Sequence, residues 1–78
     1  MTANPSQVIV TTGFTPQAVQ VYHRVIPELH AEGETPETAA ANLAQDLVRE
    51  IEGLADQDRR EMFQLALADV QAFITITP

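Results

Sequence analysis

The stretch Glu32-Gly33-Glu34-Thr35-Pro36-Glu37 constrains this 78-residue chain most, because it ends one element and starts another within six residues. Gly33 reads as the left-handed stop of whatever arrives from the N-terminal side. Thr35 supplies a side-chain oxygen for the free N–H groups of a new helix, and Pro36 fixes its first turn. Glu37 places a carboxylate at the positive end of the helix dipole. Downstream, Ala40, Leu43, Ala44, Leu47, Ile51 and Leu54 recur on one face, with Asn42, Gln45, Asp46, Arg49 and Glu50 opposite. The spacing predicts a helix over Thr35 to Gly53, and its small residues Ala39, Ala40, Ala41 and Ala44 let another helix approach closely.

The start signal also occurs twenty residues earlier, as Thr15-Pro16-Gln17. Ala18, Tyr22, Val25, Ile26 and Leu29 follow at helical spacing and predict a first helix near Thr15 to Ala31, kinked or broken where Pro27 removes a hydrogen bond. The β-branched residues Val19, Val21, Val25 and Ile26 leave a strand over Val19 to Ile26 as the alternative. A third helix near Asp56 to Ala72 is marked by Asp56 as N-cap and by Phe63, Ala66, Leu67, Val70 and Phe73 or Ile74. The ends read as strands. Gln7 to Thr12 is a β-branched run ended by Gly13, and Phe73 to Thr77 alternates apolar residues with Thr before Pro78. Neither is stable alone, so they are expected to pair, within one chain or across a dimer. The expected fold class is mainly α, a three-helix domain with short N- and C-terminal strands. The alternative is α+β, in the order ββαα, with a hairpin over Gln7 to Ile26. Residues 1–78 read as a single small domain with 1–6 frayed.

Charge is unevenly distributed. The net charge is −7, Met1 to His23 carries no charged side chain, and only Asp69 follows Glu61. Nucleic-acid affinity rests on several Lys and Arg neutralising phosphates, and this chain has four Arg and no Lys, which argues against direct nucleic-acid binding. The absence of Cys removes disulfides, thiolate catalysis and Cys-ligated zinc. No run approaches the ~18 apolar residues of a membrane span and Met1 to Ser6 is no signal peptide, so a cytoplasmic, bacterial-type protein is expected. With 5% aromatics and no Trp, a small core leaves little margin over chain entropy, which favours a homo-oligomer or docking on a protein partner.

Chemistry-bearing residues are sparse. His23 and His30 lie seven apart with Glu34 one turn on, a set that could hold a divalent metal only on an unbroken helix, and Pro27 interrupts it. The pairs Glu28/Glu32 and Asp46/Glu50 read as solvated faces, and Ser6 has no neighbouring base. Gly13, Gly33 and Gly53 are isolated stops, not a phosphate loop. No catalytic, metal or cofactor-binding residue is assigned. The candidate interaction residues are the apolar ones of the neutral ends and helix faces: Val8, Val10, Tyr22, Phe63, Phe73, Ile74 and Ile76.

The order strand, capped helix, Gly turn, capped helix over Gln7 to Leu54 resembles the ribbon-helix-helix family of small dimeric repressors and antitoxins. That resemblance implies dimerisation by strand pairing, with Gln7, Ile9, Thr11 or Val8, Val10, Thr12 facing outward where family members read DNA; neither set contains Arg or Lys. Pro27-Glu28-Leu29 with Glu32-Gly33-Glu34-Thr35-Pro36-Glu37 through Asn42-Leu43 is similar to the strand-to-helix segment of HicB-type antitoxins, without the residues that family places between the two pieces. The leading functional expectation is a non-enzymatic interaction module that self-associates or docks on a larger partner. The alternatives are a ribbon-helix-helix or antitoxin-type regulator, and an acidic inhibitor that imitates nucleic acid before a basic protein.

Overall fold

Strands, not a helix, lead into Gly33. The computed structural model describes residues 3–13 and 15–76. After a 3-10 turn at Pro5–Gln7 come β1 (Val8–Thr12), β2 (Val19–His23), β3 (Ile26–Gly33), α1 (Pro36–Gly53) and α2 (Gln57–Ile76). The strands form an antiparallel sheet in the order β1-β2-β3. The expected three-helix, mainly α class is therefore corrected to α+β. The ββαα alternative came nearer but omits β3.

The first predicted helix fails for reasons visible residue by residue. Val21 and His23 are buried while Tyr22 between them faces the other way, the period of two that a strand imposes. Val25, counted in the helical stripe, is exposed at the β2–β3 turn. Thr15-Pro16 opens a turn in place of a helix: Ala18 N–H donates to Thr15 C=O (3.1 Å) and Gly13 N–H to Ala18 C=O (3.1 Å). A proline at the second position of such a turn has the backbone angle the turn needs. Pro27 is accommodated by a bulge. Tyr22 pairs with His30 but His23 pairs with Ile26, so Pro27, Glu28 and Leu29 have no opposite residues, and the missing N–H costs no ladder bond.

The C-terminal strand is likewise corrected, because Phe73 to Ile76 continue α2. Phe73 and Ile74 extend the apolar stripe and pack on the core, and Thr75 directs its hydroxyl to the Gln71 carbonyl (2.9 Å). The partner expected for Val8 to Thr12 at that end is β2 instead. Thr77 and Pro78 lie outside the described residues.

Helix α1 begins as the capping residues predict. Thr35 Oγ1 accepts from Thr38 N–H (3.1 Å), and Thr38 adds a hydroxyl contact. Gly33 acts differently from the expected left-handed stop: no described glycine has positive φ. A β-carbon there would lie 2.6 Å from the Ala39 nitrogen, so glycine is required where β3 runs against the first turn of α1. Asp56 caps α2 by accepting from Asp58 N–H (2.9 Å) and Arg59 N–H (3.3 Å). Arg59 lies over the Phe63 ring at 5.5 Å.

Both helices cover one face of the sheet. Val21, Ile26 and Ala31 meet Ala39, Ala40, Leu43 and Leu47 of α1 and Phe63, Ala66 and Val70 of α2. The accessible surface, 4919 Å², is close to the ~4700 Å² expected of a folded monomer of this mass. The chain thus closes its own core.

Candidate functional site

His23 organises the lower end of the molecule. It is 3% exposed, and its ring is held at both nitrogens. Val25 N–H donates to Nδ1 (3.1 Å), which leaves the proton on Nε2, 2.8 Å from Asp69 Oδ2. The other Asp69 oxygen accepts from Asn4 N–H (2.7 Å), and Arg24 N–H donates to Gln7 C=O (2.9 Å). Three segments distant in sequence are thereby clasped together: the N-terminal turn, the β2–β3 turn and α2. A histidine that works as a general base needs a lone pair directed at substrate. Here the only lone pair is spent on Val25, so the geometry is that of a structural clasp.

The clasp forms part of the wall of an open groove of about 500 Å³. Val25, Met62, Leu65, Ala66 and Ala68 supply its apolar surface; Asn4, Gln7, His23 and Asp69 supply the polar part. Val25 and Leu65, both more than half exposed, stand on it. Gln7 joins the groove to the start of β1.

The two edges of the sheet differ. The bonds from Gly13 to Ala18 and from Arg24 to Gln7 place odd-numbered β1 residues in hydrogen-bonded pairs with β2. The backbone groups of Val8, Val10 and Thr12 therefore point outward. Val8 N–H is engaged by Pro5 C=O, and no described strand pairs with the remainder. On β3, beyond the bulge, the backbone groups of His30 and Glu32 point outward by the same alternation, but that edge is guarded. It carries Pro27, the three-residue bulge, Glu28 and Glu32, and Asn42 Nδ2 of α1 donates to Glu32 C=O (2.8 Å). Each is a device that blocks strand addition. Strand β1 has no charge, no proline and no bulge. Charge follows the same polarity: β3, Glu34 and α1 hold seven of the eleven acids, with Arg49 as their single Arg.

The predicted interaction residues are divided by this arrangement. Val8 and Phe63 lie in the core and offer no surface. Val10, at the middle of the edge strand, faces the helix side of the sheet beside Val21 yet is 43% exposed. Tyr22 is half-buried on the open face, its ring 4.9 Å from that of His30 in edge-on contact. Phe73 and Ile74 pack against the core from α2. Ile76 ends that helix, and its side chain lies outside what the structure describes. The metal set considered for His23 and His30 is separated, since the two rings occupy opposite faces of the sheet. Among the described residues no three His, Asp or Glu side chains converge on a metal position, and no helix is long and apolar enough to cross a membrane.

Sequence reasoning missed the His23–Asp69 pair and the groove. The available signal was weak: an acid, Asp69, isolated within a neutral stretch. Compared with known proteins, the chain matches no family model, no curated protein and no solved structure.

Proposed function

We propose that this chain is a non-enzymatic protein-interaction module that engages its partner by strand addition at β1, with the adjoining groove as a second contact. The observation that carries this reading is the contrast between a guarded β3 edge and an unguarded β1 edge. Strand addition draws affinity from main-chain hydrogen bonds and specificity from alternate side chains. Here Val10 and Thr12 supply the bonds, Ile9 and Thr11 face the open side, and Val25 and Leu65 give the groove apolar contact area. The test is parallel affinity capture with the wild-type chain and Val10→Lys. Partners retained by the first and lost by the second support the reading; a retained set indifferent to the substitution defeats it.

A second reading, an antitoxin-type regulator, is supported by one observation. The segment similar to HicB-type proteins lies on β3 running into the Thr35-capped α1. On this reading the partner is a toxin encoded alongside. Inspection of the neighbouring reading frames tests it, and a locus without a small toxin-like frame counts against it.

A further inference from the structure

The outward groups of β1 fit one occupant in particular. We propose that a second copy of this chain pairs with it, β1 against β1 in antiparallel register about a two-fold axis at Val10. This rests on the strand-addition reading above and names its partner.

The first support is the alternation of the edge. With Val10 on the axis, each Val10 N–H donates to the partner's Val10 carbonyl, and each Thr12 N–H donates to the partner's Val8 carbonyl. The reciprocal bond of that outer pair, from Val8 N–H to the partner's Thr12 carbonyl, is not formed, because Val8 N–H already donates to Pro5 within its own chain, so the register makes four main-chain bonds. The second support is side-chain fit. Val10, 43% exposed although it faces the helix layer, meets the partner's Val10, and Ile9 stands across from the partner's Thr11. Apolar and Thr pairs of this kind are favourable cross-strand neighbours.

The third support is charge. A chain of −7 resists meeting its own copy unless the contact keeps the charges apart. The order β3-β2-β1-β1-β2-β3 puts the acidic β3 strands at the two outer ends. Five strand spacings separate them by about 24 Å, roughly three Debye lengths at physiological salt. Pairing through β3 or α1 would instead bring acids face to face. A basic partner would be drawn to that acidic side, whereas the neutral β1 edge suits a strand that is itself neutral, which a second β1 is. With the axis normal to the sheet, all four helices share one face of a six-stranded sheet.

Sedimentation equilibrium on the wild-type chain is expected to give twice the 8.5 kDa subunit mass at high micromolar concentration. Val10→Lys sets two ammonium groups against each other at the axis. Thr12→Pro removes both Thr12 donors while sparing the β1–β2 ladder, because Thr12 N–H points away from β2. Each variant is expected to raise the dimer dissociation constant at least about tenfold, with an unchanged circular dichroism spectrum. Amide exchange on the unsubstituted chain gives a readout free of folding effects: protection at Val10 and Thr12 should rise with protein concentration. A single-subunit mass at every concentration, or a dimer whose Val10 and Thr12 amides stay unprotected, overturns the proposal. A monomer that still captures another protein in a Val10-dependent way overturns self-pairing alone. A dimer and a captured set both indifferent to Val10→Lys overturn the strand-addition reading as well.

Discussion

At Gly33 and Gly53 the same residue type has opposite consequences. A β-carbon on Gly33 meets only backbone of the first turn of α1, at 2.6 to 3.0 Å, and backbone cannot move aside as a side chain can. Gly33→Ala is therefore expected to destabilise the fold by about 1–3 kcal/mol. Gly53 ends α1 with nothing within 4 Å of the same position and no positive φ. Gly53→Ala should stabilise by about 0.5–1 kcal/mol, since alanine loses less chain entropy on entering a helix. Urea denaturation of the two variants side by side checks both signs. Asp69 offers a third residue-scale test. Its two oxygens accept separately from His23 Nε2–H and Asn4 N–H, and Val25 N–H prevents the ring from changing tautomer. Asp69→Asn supplies one acceptor where two are needed and turns a donor towards His23. The expected loss is about 1–3 kcal/mol, read as a lower urea midpoint with unchanged slope.

The elements differ in how openly the sequence declares them. Helix α1 was legible because Thr35, Pro36, Glu37 and six apolar residues at helical spacing all agree, and the Asp56 cap of α2 was legible for the same reason. The stretch from Thr15 to Gly33 was ambiguous because its apolar residues satisfy periods of 3.6 and of 2 at once. Thr15-Pro16 suits a helix start and a tight turn equally. Only pairing with β1 on one side and β3 on the other favours the strand. The alternation of β1 gives a prediction at this scale. At concentrations where the chain is a single subunit, Ile9 and Thr11 amides should exchange slowly and those of Val10 and Thr12 quickly. Residue-resolved exchange by NMR checks this, and uniform protection along β1 would contradict the assigned alternation.

In the whole molecule, a core of eleven residues holds two helices against three strands, and four of those residues are alanine or valine from the helices. So small a core has little redundancy. Leu47, fully buried on α1, is expected to cost about 2–5 kcal/mol when cut to alanine. Domains of this size have total stabilities of only about 5–15 kcal/mol, so thermal unfolding of Leu47→Ala should begin near ambient temperature. The candidate site was partly legible: the neutrality of Val8 to Thr12 stands in the sequence, whereas the exposure of Val10 follows only from the fold, and the groove and the His23 clasp join residues 46 positions apart. The sequence by itself determined the caps, the amphipathic face of α1 and the segregation of charge, because each depends on residues within a turn or two of one another. The tertiary structure decided what enters Gly33, since a strand's hydrogen bonds lie with its neighbours and no local pattern contains them. It also decided which edge stays open: Asn42 reaches back to β3 and the bulge at Pro27 disrupts that edge, while no described strand covers the outer side of β1.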